Sequence, residues 1–244
     1  MSHLLEVKDL EVKFALWSGE LTAIDGISFT LDRGERLGIV GESGAGKSVT
    51  GFAIINMISR PGYISGGKIL FENKELNRLP EEKMRTIRGN RISMIFQDPM
   101  TSLNPVMKIG KQITEVICYH LKASRKTAQK RAVTLLDLVG IPMAEQRANQ
   151  YPHQLSGGLR QRVAIDIALA CEPKILIADE PTTALDKESI KKLEDVIESH
   201  RAKGGMVVLS THSDMNIKDQ QILNVSDFSA ARGYESASLL AEGI

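Results

Sequence analysis

Residues Gly41-Glu42-Ser43-Gly44-Ala45-Gly46-Lys47-Ser48 follow the apolar run Leu37-Gly38-Ile39-Val40 and precede a helical pattern from Val49 to Ile58. A strand, a glycine-rich turn and a helix in that order leave few folds open. The glycines allow successive backbone N–H groups to face one anion, and the helix sets its positive N-terminal end beneath it. The spacing is that of a phosphate-binding loop, in which Lys47 meets the β- and γ-phosphates of a nucleotide and Ser48 a magnesium ion. Gly41, Glu42, Ser43, Gly44, Ala45, Gly46, Lys47, Ser48 and Val49 are therefore candidate nucleotide-binding residues. A glycine-rich turn that binds nothing is the competing reading, and the flanking strand and helix weigh against it.

Composition adds mild bounds. A chain of 244 residues, 42% hydrophobic, is long enough for one substantial core with a smaller attached lobe. The net charge of +1 gives no support to a polyanionic partner, so nucleic acid is not expected. Cys118 and Cys171 lie far apart in apolar, helical-looking surroundings without metal-type spacing, and are expected to be buried, reduced thiols. No run approaches the ~18 apolar residues of a membrane span, and Met1-Ser2-His3-Leu4-Leu5-Glu6 lacks the basic start and apolar core of a signal peptide. A soluble chain, held at a membrane only by partners, is expected.

Apolar and polar residues alternate over Leu5 to Phe14 and Ile24 to Leu31, predicting antiparallel strands, with Asp32-Arg33-Gly34-Glu35 as a turn. Gly66 to Phe71 and Ile92 to Phe96 add strands. Helices are predicted over Ile109 to Leu121 and Lys126 to Val139, the second ended by Gly140 and Pro142. A helix to about Cys171, a buried strand Ile175 to Ala178, a helix from Lys187 to Lys203 and a strand Met206 to Leu209 follow. The Ile190, Leu193, Val196, Ile197 stripe is assigned to core packing. The expected organisation is α/β, with residues 1–98 and 156–228 forming a core with an antiparallel β subdomain and 99–155 an inserted helical subdomain. Ile222 to Phe228 is expected to supply one strand, and Ser229 to Ile244 a weak helix or disordered tail.

The strand Ile175-Leu176-Ile177-Ala178 runs into Asp179 and Glu180. Beside a phosphate loop, an aspartate at the carboxyl end of a buried strand is placed to hold a magnesium shell. A glutamate one residue on can polarise an attacking water as general base. Two solvated acids capping a strand are the alternative, weakened by the phosphate loop.

Leu155-Ser156-Gly157-Gly158-Leu159-Arg160-Gln161-Arg162 opens another helix, whose N-terminus is a second anion site. It resembles the signature sequence of ATP-binding cassette (ABC) proteins. That resemblance implies an ABC nucleotide-binding domain on a P-loop NTPase core and assigns further residues. Gln97 resembles the glutamine that senses magnesium and the attacking water, Asp186 the aspartate that couples two protomers, and His212 the switch histidine at the γ-phosphate. An upstream aromatic stacks on adenine in this family; Phe14 fits best, with Trp17 as the alternative. The resemblance further implies that Ser156, Gly157 and Gly158 close over ATP bound to a second cassette, so that the catalytic unit is a head-to-tail dimer with itself or a relative.

Over residues 1 to about 186 the chain is most similar to the ATPase subunits of bacterial oligopeptide, dipeptide and nickel importers. The stretches that carry this are Gly41 to Val49, Arg88 to Pro105, Tyr151 to Leu155, Ala170 to Lys174 and Asp179 to Asp186. The segment Lys203 to Met215 is more similar to the short ending of cytochrome c maturation ATPases. The resemblance implies ATP and magnesium as cofactors, two transmembrane permease subunits, a second ATPase subunit and an extracytoplasmic solute-binding protein as partners, and a peripheral place on the cytoplasmic face of the plasma membrane. A haem-handling complex and a non-transport ABC protein are the alternatives. Against the latter, the 109 positions from Lys47 to Ser156 show no sustained heptad pattern, and the chain has room for one cassette.

Overall fold

The computed structural model describes residues 3–98, 102–182, 185–210 and 221–228. His212 and the tail lie outside the described residues. The chain divides into two compact units, one from Met1–Asp32, Arg36–Pro80 and Ser210–Ile244, the other from Arg33–Glu35 and Glu81–Leu209.

In the first unit, β1 (Leu5–Leu16), β2 (Gly19–Leu31), β4 (Gly62–Phe71) and β5 (Lys74–Glu75) form a sheet in the order β2-β1-β4-β5. The β1 pairings with β2 and β4 are antiparallel, as the alternation predicts. Leu5, Val7, Leu10 and Val12 of β1 are buried with Ile24, Ile27 and Leu31 of β2 and Ile69 and Phe71 of β4. Between Val7 and Leu10 the register shifts, and Asp9 there takes a left-handed φ of 46°. Gly67 of β4 sits against this bulge with φ +81°, where a Cβ would lie 2.3 Å from the Asp9 carbonyl, so only glycine fits. β4 starts at Gly62 rather than Gly66 because Gly62 pairs with Phe14 in the β1 register.

The same unit holds β3 (Arg36–Val40), which pairs in parallel with β9 (Gln221–Asn224), and α1 (Lys47–Ile54). β9 is shorter than expected, because a 3₁₀ turn takes over at Val225–Phe228. The α1 helix stops four residues before Ile58. Asn56 adopts a left-handed φ of 51°, its N–H bonds the Ala53 carbonyl at 2.9 Å, and the Met57 N–H bonds the Phe52 carbonyl at 2.8 Å. This pair of bonds is a Schellman ending, and asparagine tolerates the left-handed position better than most residues.

In the second unit, β6 (Ile92–Ile95) and β7 (Ile175–Asp179) pair in parallel, and β8 (Met206–Ser210) lies beside β7. Every residue of β7 and β8 is buried, the pattern of strands covered on both faces. Its helices among the described residues include α2 (Glu81–Ile87), α3 (Ile109–Leu121), α4 (Arg125–Leu138), α5 (Ala144–Arg147), α6 (Gly157–Leu169) and α7 (Lys187–Ala202). α3 buries Ile109, Ile113 and Ile117, and α4 buries Ala128, Ala132 and Leu136, each set at four-residue spacing. Ser124 caps α4 by accepting the Thr127 N–H at 3.2 Å. Leu193 and Ile197 of α7 are buried, so that stripe serves the core. Cys171 is buried as expected; Cys118 is only half-buried.

Candidate functional site

In the first unit, Gly46 is the N-cap of α1 with φ 97°, so the helix starts directly from the glycine loop and Ser48 lies in its first turn. No side chain caps this N-terminus, and its first turn contains no acidic residue. The leading N–H groups of a helix lack intrahelical partners, so this end is built for an anion. Lys47 is buried, and its Nζ donates to the carbonyls of Gly41 and Glu42 at 2.9 Å each. The ammonium therefore fixes the curvature of the loop and sets a positive charge inside it, which suits a phosphate. The Thr50 hydroxyl, fully buried, donates to the Gly46 carbonyl at 2.9 Å and holds the loop to the helix.

The loop is braced from the other end of the chain. The Glu42 N–H donates to the Ser226 hydroxyl at 3.3 Å, and a Cβ on Gly41 would lie 2.9 Å from both Ser226 Oγ and Val225 Cγ2. Val225 is fully buried. Sequence reasoning missed Ser226, for which no local pattern exists. Phe14 is half-buried near the end of β1, opposite Leu21 and Gly62, with its ring against Gly62, where a Cβ would lie 2.7 Å from Phe14 Cε1. Trp17 is wholly exposed.

In the second unit, Ile95 of β6 lies opposite Ala178 of parallel β7, so the residues just past the two strands emerge at one end of the sheet. There Gln97 Nε2 donates to Glu180 Oε2 at 2.9 Å. Asp179, at the last position of β7, is buried, while Glu180 is half-buried and Gln97 exposed. Glu180 takes a left-handed φ of 42°, a conformation that a glutamate holds only where its surroundings impose it. Gln161 Nε2 of α6 donates to the Pro181 carbonyl at 3.4 Å, tying the helix that Ser156 opens to the segment after Glu180.

Ser156 is the N-cap of α6 and accepts the Leu159 N–H at 3.4 Å, with Gly157 and Gly158 in the first turn. Asp186 is the N-cap of α7; its Oδ1 accepts the Ser189 N–H at 2.8 Å and the Ser189 hydroxyl at 2.5 Å. The Ser189 hydroxyl, then its N–H, hold the Asp186 carboxyl below the usual carboxylate range, with help from Arg162 and Lys192.

The family model described as ABC transporter matches residues 24–183. The chain belongs to that family. Among ABC proteins it is 53% identical to the oligopeptide transport ATP-binding protein OppD of Bacillus subtilis over 93% of this chain and 63% of the relative. To the dipeptide transport ATP-binding protein DppD of the same organism it is 50% identical, over 87% of this chain and 64% of the relative. A probable peptide ABC transporter ATP-binding protein of Sinorhizobium fredii is 44% identical over 97% of this chain. The chain thus spans less than two thirds of the length of the first two. The OppD similarity runs over 228 residues, past the region near residue 186 where the resemblance was expected to fade. The fold matches the ATP-binding cassette MJ0796, solved as a dimer in a post-hydrolysis state with ADP and Pi. The TM-score is 0.81 at 27% identity, covering 91% of this chain and 95% of that one. No helix among the described residues is long and apolar enough to cross a membrane.

Proposed function

We propose that the chain is the ATP-hydrolysing subunit of an importer that carries peptides or a similar small solute through partner membrane subunits. The 53% identity to an oligopeptide transport ATP-binding protein over 93% of the chain carries this reading. The peptide-transport names of the relatives do not favour the haem-handling alternative.

In this reading the loop from Gly41 to Val49 wraps the phosphates, Lys47 neutralises the β- and γ-oxygens, and Phe14 stacks on adenine. Magnesium, when held by Ser48, Asp179 and Gln97, would neutralise charge on the transferring phosphoryl group. Glu180 accepts a proton from the attacking water, with Gln97 orienting the carboxylate. His212 contacts the γ-phosphate. Ser156, Gly157, Gly158 and Asp186 serve the nucleotide of a second ATPase subunit, identical or related, so a lone protomer hydrolyses slowly. Two permease subunits dock on the ATPase pair at the cytoplasmic face of the plasma membrane, and an extracytoplasmic solute-binding protein delivers the solute. Residues 99–155 form the helical lobe, and nucleic acid is not a partner.

The test is affinity purification of this chain with its membrane partners from the native host, followed by mass spectrometry. Two importer-type permease subunits and a solute-binding protein are expected. Recovery of haem-handling membrane proteins would overturn the reading.

A further inference from the structure

Arg162 lies on α6, six residues beyond the cap Ser156, with its side chain only 14% exposed. A guanidinium presents its donors in a rigid planar fork, so where they end defines what the residue holds. Nη1 donates to the Gly140 carbonyl at 2.7 Å, in the turn that ends α4. Nη2 donates to the Ser189 hydroxyl and lies 4.0 Å from Asp186 Oδ1. Ser189 is itself buried and passes its hydroxyl proton and its N–H to that same Asp186 oxygen. One side chain thus joins the helix opened by Ser156, the end of α4 and the cap of α7.

The turn at Gly140 is enclosed from a second side. A Cβ there would lie 2.9 Å from Lys192 Nζ of α7, and Lys192 also pairs with Glu188 at 2.7 Å. The α4 end therefore sits between Arg162 and Lys192, and Arg162 cannot swing away without leaving the Gly140 carbonyl and Ser189 short of a charged donor. Arg162 and Ser189 are the buried centre of this network, while Asp186 and Glu188 reach solvent, and losing the guanidinium would leave the buried Ser189 without its charge-assisted partner.

We propose that Arg162 is a positioning residue for hydrolysis, which locks Asp186 and the Ser156 end of α6 into one rigid element presented to the second subunit. This rests on the dimeric ATPase reading above. The partners of Arg162 named above, Gly140, Ser189 and Asp186, lie outside the phosphate loop in sequence. Its loss should leave ATP binding by the phosphate loop intact and lower the turnover that needs both elements in place at once. Lysine, with a single ammonium, cannot reach Gly140 and Ser189 in the same planar geometry, so it restores charge without the fork.

The test compares wild type, Arg162→Gln, Arg162→Lys and Ser189→Ala in steady-state ATPase assays, alongside titration of a fluorescent ATP analogue and thermal unfolding. Expected for Arg162→Gln is a kcat at least about tenfold lower, with nucleotide affinity within about twofold of wild type, and only partial rescue by lysine. Ser189→Ala, which keeps the charge and removes the link to Asp186, should fall in the same direction. A double-mutant cycle of Arg162→Gln with Asp186→Asn should show non-additive losses. Wild-type kcat in Arg162→Gln, or a loss fully accounted for by weakened nucleotide affinity or unfolding, would overturn the proposal. A wild type without cooperative, concentration-dependent turnover would instead overturn the dimer reading itself.

Discussion

Gln97 and Glu180, 83 positions apart in sequence, meet through a 2.9 Å hydrogen bond from the glutamine amide to the glutamate carboxylate. The bond fixes the direction of the carboxylate, as a positioned general base requires. Glu180→Gln keeps the shape and removes the basicity. Turnover should drop by about 10²-fold or more while ATP still binds, and the ATP-bound protein should elute as a dimer in size-exclusion chromatography. Unchanged turnover in this variant would sink the assignment of Glu180.

Ser226 is the acceptor for the Glu42 N–H in the phosphate loop. Ser226→Ala should weaken ATP affinity by about fivefold, as expected for the loss of one hydrogen bond worth roughly 1 kcal/mol. Gly41→Ala should do more harm, since its Cβ would lie 2.9 Å from Ser226 Oγ and Val225 Cγ2. Titration with a fluorescent nucleotide reads both; equal affinity in all three proteins would show that the brace is irrelevant to binding.

Phe14 and Trp17 are separable by spectroscopy, because Trp17 is the chain's single tryptophan. Phe14→Ala should reduce nucleotide affinity by about tenfold, the scale of one lost aromatic stack. The emission of Trp17, which is fully exposed, should not change when ATP is added to the wild type. A clear quench by ATP, together with normal affinity in Phe14→Ala, would transfer the stacking role to Trp17.

Asp166, in the middle of α6, is wholly buried, and neither of its oxygens has a hydrogen-bond partner among the described residues. Burial pushes its carboxyl from the usual 3.8 up to about 8. Because the folded value lies above the unfolded one, the native state binds this proton more tightly. The contribution of this group to stability is therefore fully present below about pH 4, declines as pH rises, and is lost above about 8, on the order of 5 kcal/mol at most. Asp166→Asn has the same size and no titration. Relative to wild type it should raise the urea midpoint most at about pH 8.5, less at about pH 6, and change it little below about pH 4. A pH-independent difference between the two proteins would disprove the buried-acid account.

The elements that sequence alone determined are those whose causes are local. The phosphate loop, the capped start of α6 at Ser156, the buried run of β7 and the limits of α3 all follow from spacing, capping and side-chain period within one short segment. Helix ends were legible where a glycine or proline stood, as at Gly140, and less so where Asn56 closed α1 through its own left-handed turn. Residues 97 and 180 each carried a signal, but their hydrogen bond depends on β6 and β7 being parallel neighbours in register, a pairing that no local pattern encodes. Ser226 reaching Glu42 and Arg162 joining Gly140 to Ser189 are likewise products of chain crossing, where side chains become partners because strands and helices pack. The burial of Asp166 belongs to the same class: an aspartate reads as polar in any sequence, and only the packing around α6 removes it from water and makes its proton part of the folding equilibrium.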